Sequence, residues 1–98
     1  MRRGTTPIIT ITTDIDLTNA SNLFVTFRQG AYKRIEKTLE DVTVESDKIT
    51  FSLSQKETLF LEAGVPVDVQ IRASLGDSKL ASNIMTTNVE AVLKQGEI

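Results

Sequence analysis

Cysteine, histidine and tryptophan are all missing from this 98-residue chain. Without cysteine no disulfide can hold the fold and no thiolate can act as nucleophile. That composition fits folding in a reducing cytoplasm, or folding that needs no oxidation. Without histidine the chain lacks the one side chain whose unperturbed pKa lies near neutrality, which is also the commonest metal ligand. The two absences together exclude most nucleophile–base pairs and zinc sites. Long charge runs are absent too. Eleven Lys and Arg face thirteen Asp and Glu, for a net charge of −2, with the signs interspersed. No block of one sign is left to act as a nucleic-acid or membrane tail. No apolar run approaches the roughly 18 residues of a membrane span. The start, Met1-Arg2-Arg3-Gly4-Thr5-Thr6-Pro7, leads into Ile8-Ile9 and then at once into threonines, which does not read as a signal peptide. The expectation is no catalytic residue, no cofactor, no metal, and no nucleic-acid or membrane partner.

What the chain does contain is period-two patterning, the signature of half-buried strands. Ile9 and Ile11 alternate with threonines after Pro7, a residue tolerated at a strand start. Residues 14–22 are rich in Asp, Thr, Asn and Ser, which bond their own backbone in turns, with Ile15 and Leu17 expected to pin the loop to the core. Leu23, Val25 and Phe27 form a second strand, ended by Gln29-Gly30. Residues 31–38 carry charge on both faces around Ile35, as suits an exposed edge strand. Val42 and Val44 pair back through the turn at residues 45–48 onto Ile49, Phe51 and Leu53. Ser54-Gln55-Lys56-Glu57 matches a capping box and predicts about two turns of helix over 54–63, with Gly64 as its left-handed stop and Leu59, Phe60 or Leu61 docking it. Val65 to Ala73 is the cleanest alternation. Residues 79–89 return after a turn at 75–78, with a change of phase that predicts a bulge near Asn83. Val92 and Leu93 suggest a last short pairing. About seven strands with turns every 8–12 residues predict an all-β fold, an immunoglobulin-like antiparallel sandwich with one short connecting helix. Residues 7–98 form one domain in this reading, and residues 1–6 a mobile arm.

Three stretches carry a family resemblance. They are Met1 to Pro7 with the following Ile-Thr-Ile-Thr and Val25-Thr26-Phe27-Arg28-Gln29-Gly30; Leu53-Ser54-Gln55-Lys56-Glu57-Thr58-Leu59 with Val69-Gln70-Ile71-Arg72-Ala73; and Ala81-Ser82-Asn83-Ile84 with the ending Val92 to Ile98. Read together, the chain resembles a small structural protein of phages and prophages of Gram-positive bacteria. That family is similar to the N-terminal immunoglobulin-like domain of phage baseplate upper proteins. The resemblance implies a non-enzymatic virion component associated with tail or baseplate, located in the virion. Its partners would be other phage structural proteins, with homo-oligomers among the assemblies expected. It carries over no catalytic motif.

Several side-chain groups qualify as candidate sites. Asp14 and Asp16, with Asp41 or Asp47, offer oxygens suited to calcium, but their spacing matches no calcium loop. Glu40-Asp41 would be a carboxylate dyad only within a turn, because neighbours on a strand point to opposite faces. Arg28, Lys33, Arg34 and Lys37 beside Tyr32 form the densest basic cluster, interrupted by Glu36, Glu40 and Asp41. Phe24 points outward if Leu23, Val25 and Phe27 point in, where it either lies under the 14–22 loop or stands exposed, and exposed aromatics are enriched at interfaces. Phe24, Tyr32 and Arg34 are therefore the candidate interface residues. The competing reading is a carbohydrate- or receptor-binding module, for which Tyr32 would be the one aromatic platform.

Overall fold

Two stretches with apolar residues at every second position form the centre of the fold. These are β2 (Asn22–Gln29) and β6 (Val67–Leu75), paired antiparallel so that Leu23 faces Ala73, Val25 faces Ile71 and Phe27 faces Val69. All six side chains are buried on the same face. The computed structural model describes all 98 residues and adds six further strands: β1 (Ile8–Thr12), β3 (Lys33–Thr38), β4 (Thr43–Val44), β5 (Lys48–Ser52), β7 (Ser78–Ala81) and β8 (Met85–Thr87). A 3-10 turn spans Leu39–Asp41, and one helix, α1, spans Gln55–Phe60.

The strands form two antiparallel sheets, β1-β5-β4 and β3-β2-β6-β7, with β8 pairing the first half of β6. The sheets bury one cluster of 14 apolar residues between them. Phe27 from one sheet meets Phe51 from the other edge to face, centroids 5.8 Å apart at 75°. Such a pair adds about 0.5–1.5 kcal/mol beyond its buried area. The chain is thus an all-β sandwich, as its patterning predicts.

The structure keeps some of the finer sequence expectations and departs from others. The phase change in residues 79–89 is present: between the pairs Arg72–Ala81 and Val69–Met85, Gln70 and Ile71 of β6 stand opposite the three residues Ser82 to Ile84, so the extra residue expected near Asn83 falls at the break between β7 and β8. Ser82 turns inward at the break: its amide donates to the Ile71 carbonyl, and its hydroxyl accepts from the Ile71 amide. The helix is shorter than expected. Its capping box forms as the sequence predicts, with the Ser54 hydroxyl accepting from the Glu57 amide at 3.1 Å and Glu57 Oε1 accepting from the Ser54 amide at 2.8 Å. The helix stops at Phe60, because burial of Leu61 draws the chain into extended backbone (φ −80°, ψ 148°) three residues before Gly64. Thr58 and Leu61 are the residues it buries, and Phe60 stays half-exposed. In the 14–22 loop Leu17 is buried and Ala20 packs beside the core, but Ile15 is exposed. No strand forms at Val92-Leu93, where the side chain of Leu93 is fully exposed.

Residues 1–6, expected to stand free as an arm, are hydrogen-bonded along the body. The amino terminus donates to the Asn88 carbonyl, Glu90 N–H donates to the Met1 carbonyl, and Arg3 N–H donates to the Glu90 carbonyl. The Arg3 guanidinium then spans the helix exit, donating to the carbonyls of Leu61 (2.6 Å) and Leu59 (2.9 Å). These are carbonyls that the end of a helix leaves without partners. Thr58 Oγ1 lies 2.8 Å from the Thr5 carbonyl, so the same segment also meets the buried side of the helix.

Candidate interaction surfaces

Strand register places every outward side chain of the larger sheet. Phe24 stands level with Thr38 on one side and Arg72 on the other. Four residues along β2, Arg34, Arg28, Asp68 and Thr86 form a second row across four strands. Within that row Arg28 donates to Asp68 Oδ2 at 3.2 Å, and the Thr86 hydroxyl donates to Asp68 Oδ1 at 3.1 Å. Arg34 has neither a hydrogen bond nor an ion pair and faces Arg28, a like charge. Phe24 and Arg34 thus share a face without touching. Tyr32 is elsewhere, in the β2–β3 turn after Gly30, with its side chain 95% exposed. Gly30 has φ 63°, a backbone conformation that favours glycine.

The basic cluster of the sequence is divided between the two faces of β3. Lys37 is level with buried Val25 and reaches inward to Glu57 Oε1 at 2.7 Å. Lys33 donates to the Phe60 carbonyl at 2.9 Å and lies 5.3 Å from the centre of the Phe60 ring. These two lysines fasten α1 along β3. The shared Glu57 oxygen accounts for a shifted carboxyl. Burial raises its pKa, but the hydrogen bond from Lys37 and that from the Ser54 amide outweigh it, and the net shift is downward.

The acidic candidates are committed to local turns. Asp16 Oδ1 accepts from both the amide and the hydroxyl of Thr18, which lowers its pKa. Asp41 accepts from the amide and hydroxyl of Thr38, with the same effect, and caps the 3-10 turn that contains Glu40. No group of three or more Asp and Glu is gathered where it could hold a metal ion.

The chain matches no protein-family model, no curated protein and no solved structure.

One apolar concavity lies where sequence reasoning proposed no site. A cleft of about 370 Å³ opens between β1 and the β7–β8 connection. Ile11, Ile15, Leu17, Ala73, Leu80 and Met85 supply its apolar wall. Thr13 Oγ1 is buried beside it with no hydrogen-bond partner. No sequence signal marks the cleft, because its walls come from segments about 60 residues apart. Gln29 was likewise hidden. Read from sequence as turn punctuation, it is 3% exposed and fully bonded: its amide nitrogen donates to the Glu62 and Val65 carbonyls, and its oxygen accepts from the Glu62 amide.

Proposed function

We propose that this protein is a non-enzymatic building block of a phage or prophage particle, associated with the tail or baseplate, that works through protein–protein contacts. The observation that carries the assembly half is the distribution of exposed apolar groups over a sandwich whose sheet edges are open. Ile8, Ile15, Phe24, Tyr32, Phe60 and Ile84 are all exposed, on several sides of the molecule. Unpaired strand edges are templates for pairing with another chain, and exposed apolar groups gain free energy when a partner covers them. The phage setting, and the immunoglobulin-like character of the sandwich, are supported by the sequence resemblance. A specific contact of this kind would bury more than about 1,000 Å² in total.

The test combines the gene neighbourhood with co-purification against the tail proteins encoded beside it. A stable complex with a tail component is expected. A chain flanked by no head or tail genes, and binding none of those proteins, would sink the reading. Tyr32 keeps a second reading in play, since a fully presented aromatic ring at a turn is the form of a sugar-stacking platform. A glycan-array signal abolished by Tyr32→Ala would reverse the order of the two.

A further inference from the structure

The two long sides of the sandwich are finished differently. Along β3 the gap between the sheets is covered by α1, which Lys33 and Lys37 hold in place. β3 itself is guarded by Lys33, Arg34, Glu36 and Lys37. Charge and a covering helix are the ordinary means of preventing edge pairing. The opposite side has neither. β1 is the outer strand of its sheet, and from Ile8 to Thr13 it carries no charge and no proline. Its inward residues Ile9 and Ile11 remain partly exposed, Ile11 in the wall of the apolar cleft, and Ile8 is 77% exposed on the outer face.

The hydrogen-bond phase of β1 defines what this edge presents. Leu53 N–H donates to the Pro7 carbonyl, and Thr13 N–H donates to the Asp47 carbonyl. Bonded and non-bonded pairs alternate along an antiparallel ladder. Residues 7, 9, 11 and 13 therefore bond to β5, and the N–H and C=O groups of Ile8, Thr10 and Thr12 point away from the sheet.

We infer that β1 pairs with β1 of a second copy, antiparallel about a two-fold axis through Thr10, joining the two smaller sheets into one. This deepens the assembly reading above by naming an edge, a register and a partner. The register is self-complementary, as a closed two-fold contact requires. Ile8 faces Thr12 of the second copy, Thr10 faces Thr10, and Thr12 faces Ile8, so the three free residues of each strand exchange about six ladder hydrogen bonds. On the inner face Ile9 meets Ile11 of the second copy, which extends the apolar row across the mouth of the cleft. At the ends Asp14 meets Thr6, so no like charges are opposed. The other edges fit less well: β3 is charged, β7 carries Lys79, and β4 and β8 are two and three residues long.

The test is light scattering of the full chain across concentration, with Thr10→Lys and Thr10→Glu. Both side chains replace an exposed one, so a circular-dichroism melt like that of the parent is expected. The parent should move from monomer to twice the monomer mass as concentration rises, while each variant alone stays monomeric. An equimolar mixture of the two should regain the dimer, because only a two-fold contact through residue 10 sets the lysine against the glutamate. Hydrogen exchange on the unmodified chain gives a check without substitution: the amides of Ile8, Thr10 and Thr12 should slow as concentration rises. A parent that stays monomeric at every concentration, or variants that dimerise as the parent does, would overturn the pairing. A strict monomer that still binds a tail protein would remove the β1 pairing and leave the assembly reading standing.

Discussion

Gln29 ties β2 to the segment between α1 and β6, because it is buried and bonds both Glu62 and Val65. Gln29→Leu keeps the size and leaves one N–H and two carbonyls without their partner. An unsatisfied buried group costs about 1–3 kcal/mol, so a loss of roughly 2–3 kcal/mol is expected after partial relaxation, read as a lower urea midpoint at unchanged slope. Ser54 is a lesser case of the same kind. Ser54→Ala removes the side-chain half of the capping box, for about 1 kcal/mol, which in a domain of this size lowers the melting temperature by about 4–8 °C. The two residues differ in how visible they are. Ser54 bonds a partner three positions away, and its motif can be read directly. The partners of Gln29 lie 33 and 36 residues on, at a distance where no local pattern reports them.

At the scale of elements, α1 is held from three directions rather than by its own propensity. It has six residues, too few to be stable alone in water. Thr58 and the following Leu61 enter the core, the lysines of β3 grip the outer side, and Arg3 caps the last carbonyls. Arg3→Met keeps the length of the stem and deletes the cap, so exchange protection of the amides in residues 58–61 should fall while β2 and β6 keep theirs. Loss of protection spread evenly over all strands would count against that role. The first residues therefore act as part of the helix end, although their polar composition reads as a free tail. β1 and β3 show the opposite situation. Both are outer strands, and the difference in charge between them is plain in the sequence, yet that difference acquires meaning only once the structure shows which side α1 covers.

At the scale of the whole molecule, the three shifted carboxylates all respond to acid in the same direction. Asp16, Asp41 and Glu57 have folded-state pKa values below their ordinary ones. A group shifted this way stabilises the fold above its unfolded value and loses that contribution as pH falls through the folded value. The melting temperature should thus hold down to about pH 4.5, the ordinary value for Glu57, and fall below it. Glu57→Gln should flatten part of that slope; a slope identical to that of the parent would show that the Glu57 carboxylate, held by Lys37 and Ser54, contributes nothing to it. The molecule is elongated, 46 × 25 × 18 Å, with only 16 of 98 residues buried. A core that thin leaves stability sensitive to single surface contacts, and it leaves one long side of the sandwich open.

The amino-acid sequence by itself determined most of the strands, the faces they bury, the charged edge within residues 31–38 and the start of the helix. Each of these is written in spacings of two to four residues, and side-chain alternation and capping act over that range. Tertiary structure alone decided the docking of residues 1–6, the fully bonded burial of Gln29 and the cleft beside β1. Each of those depends on groups that the chain path brings together from far apart, and the free energy of such a contact depends on the meeting rather than on either partner.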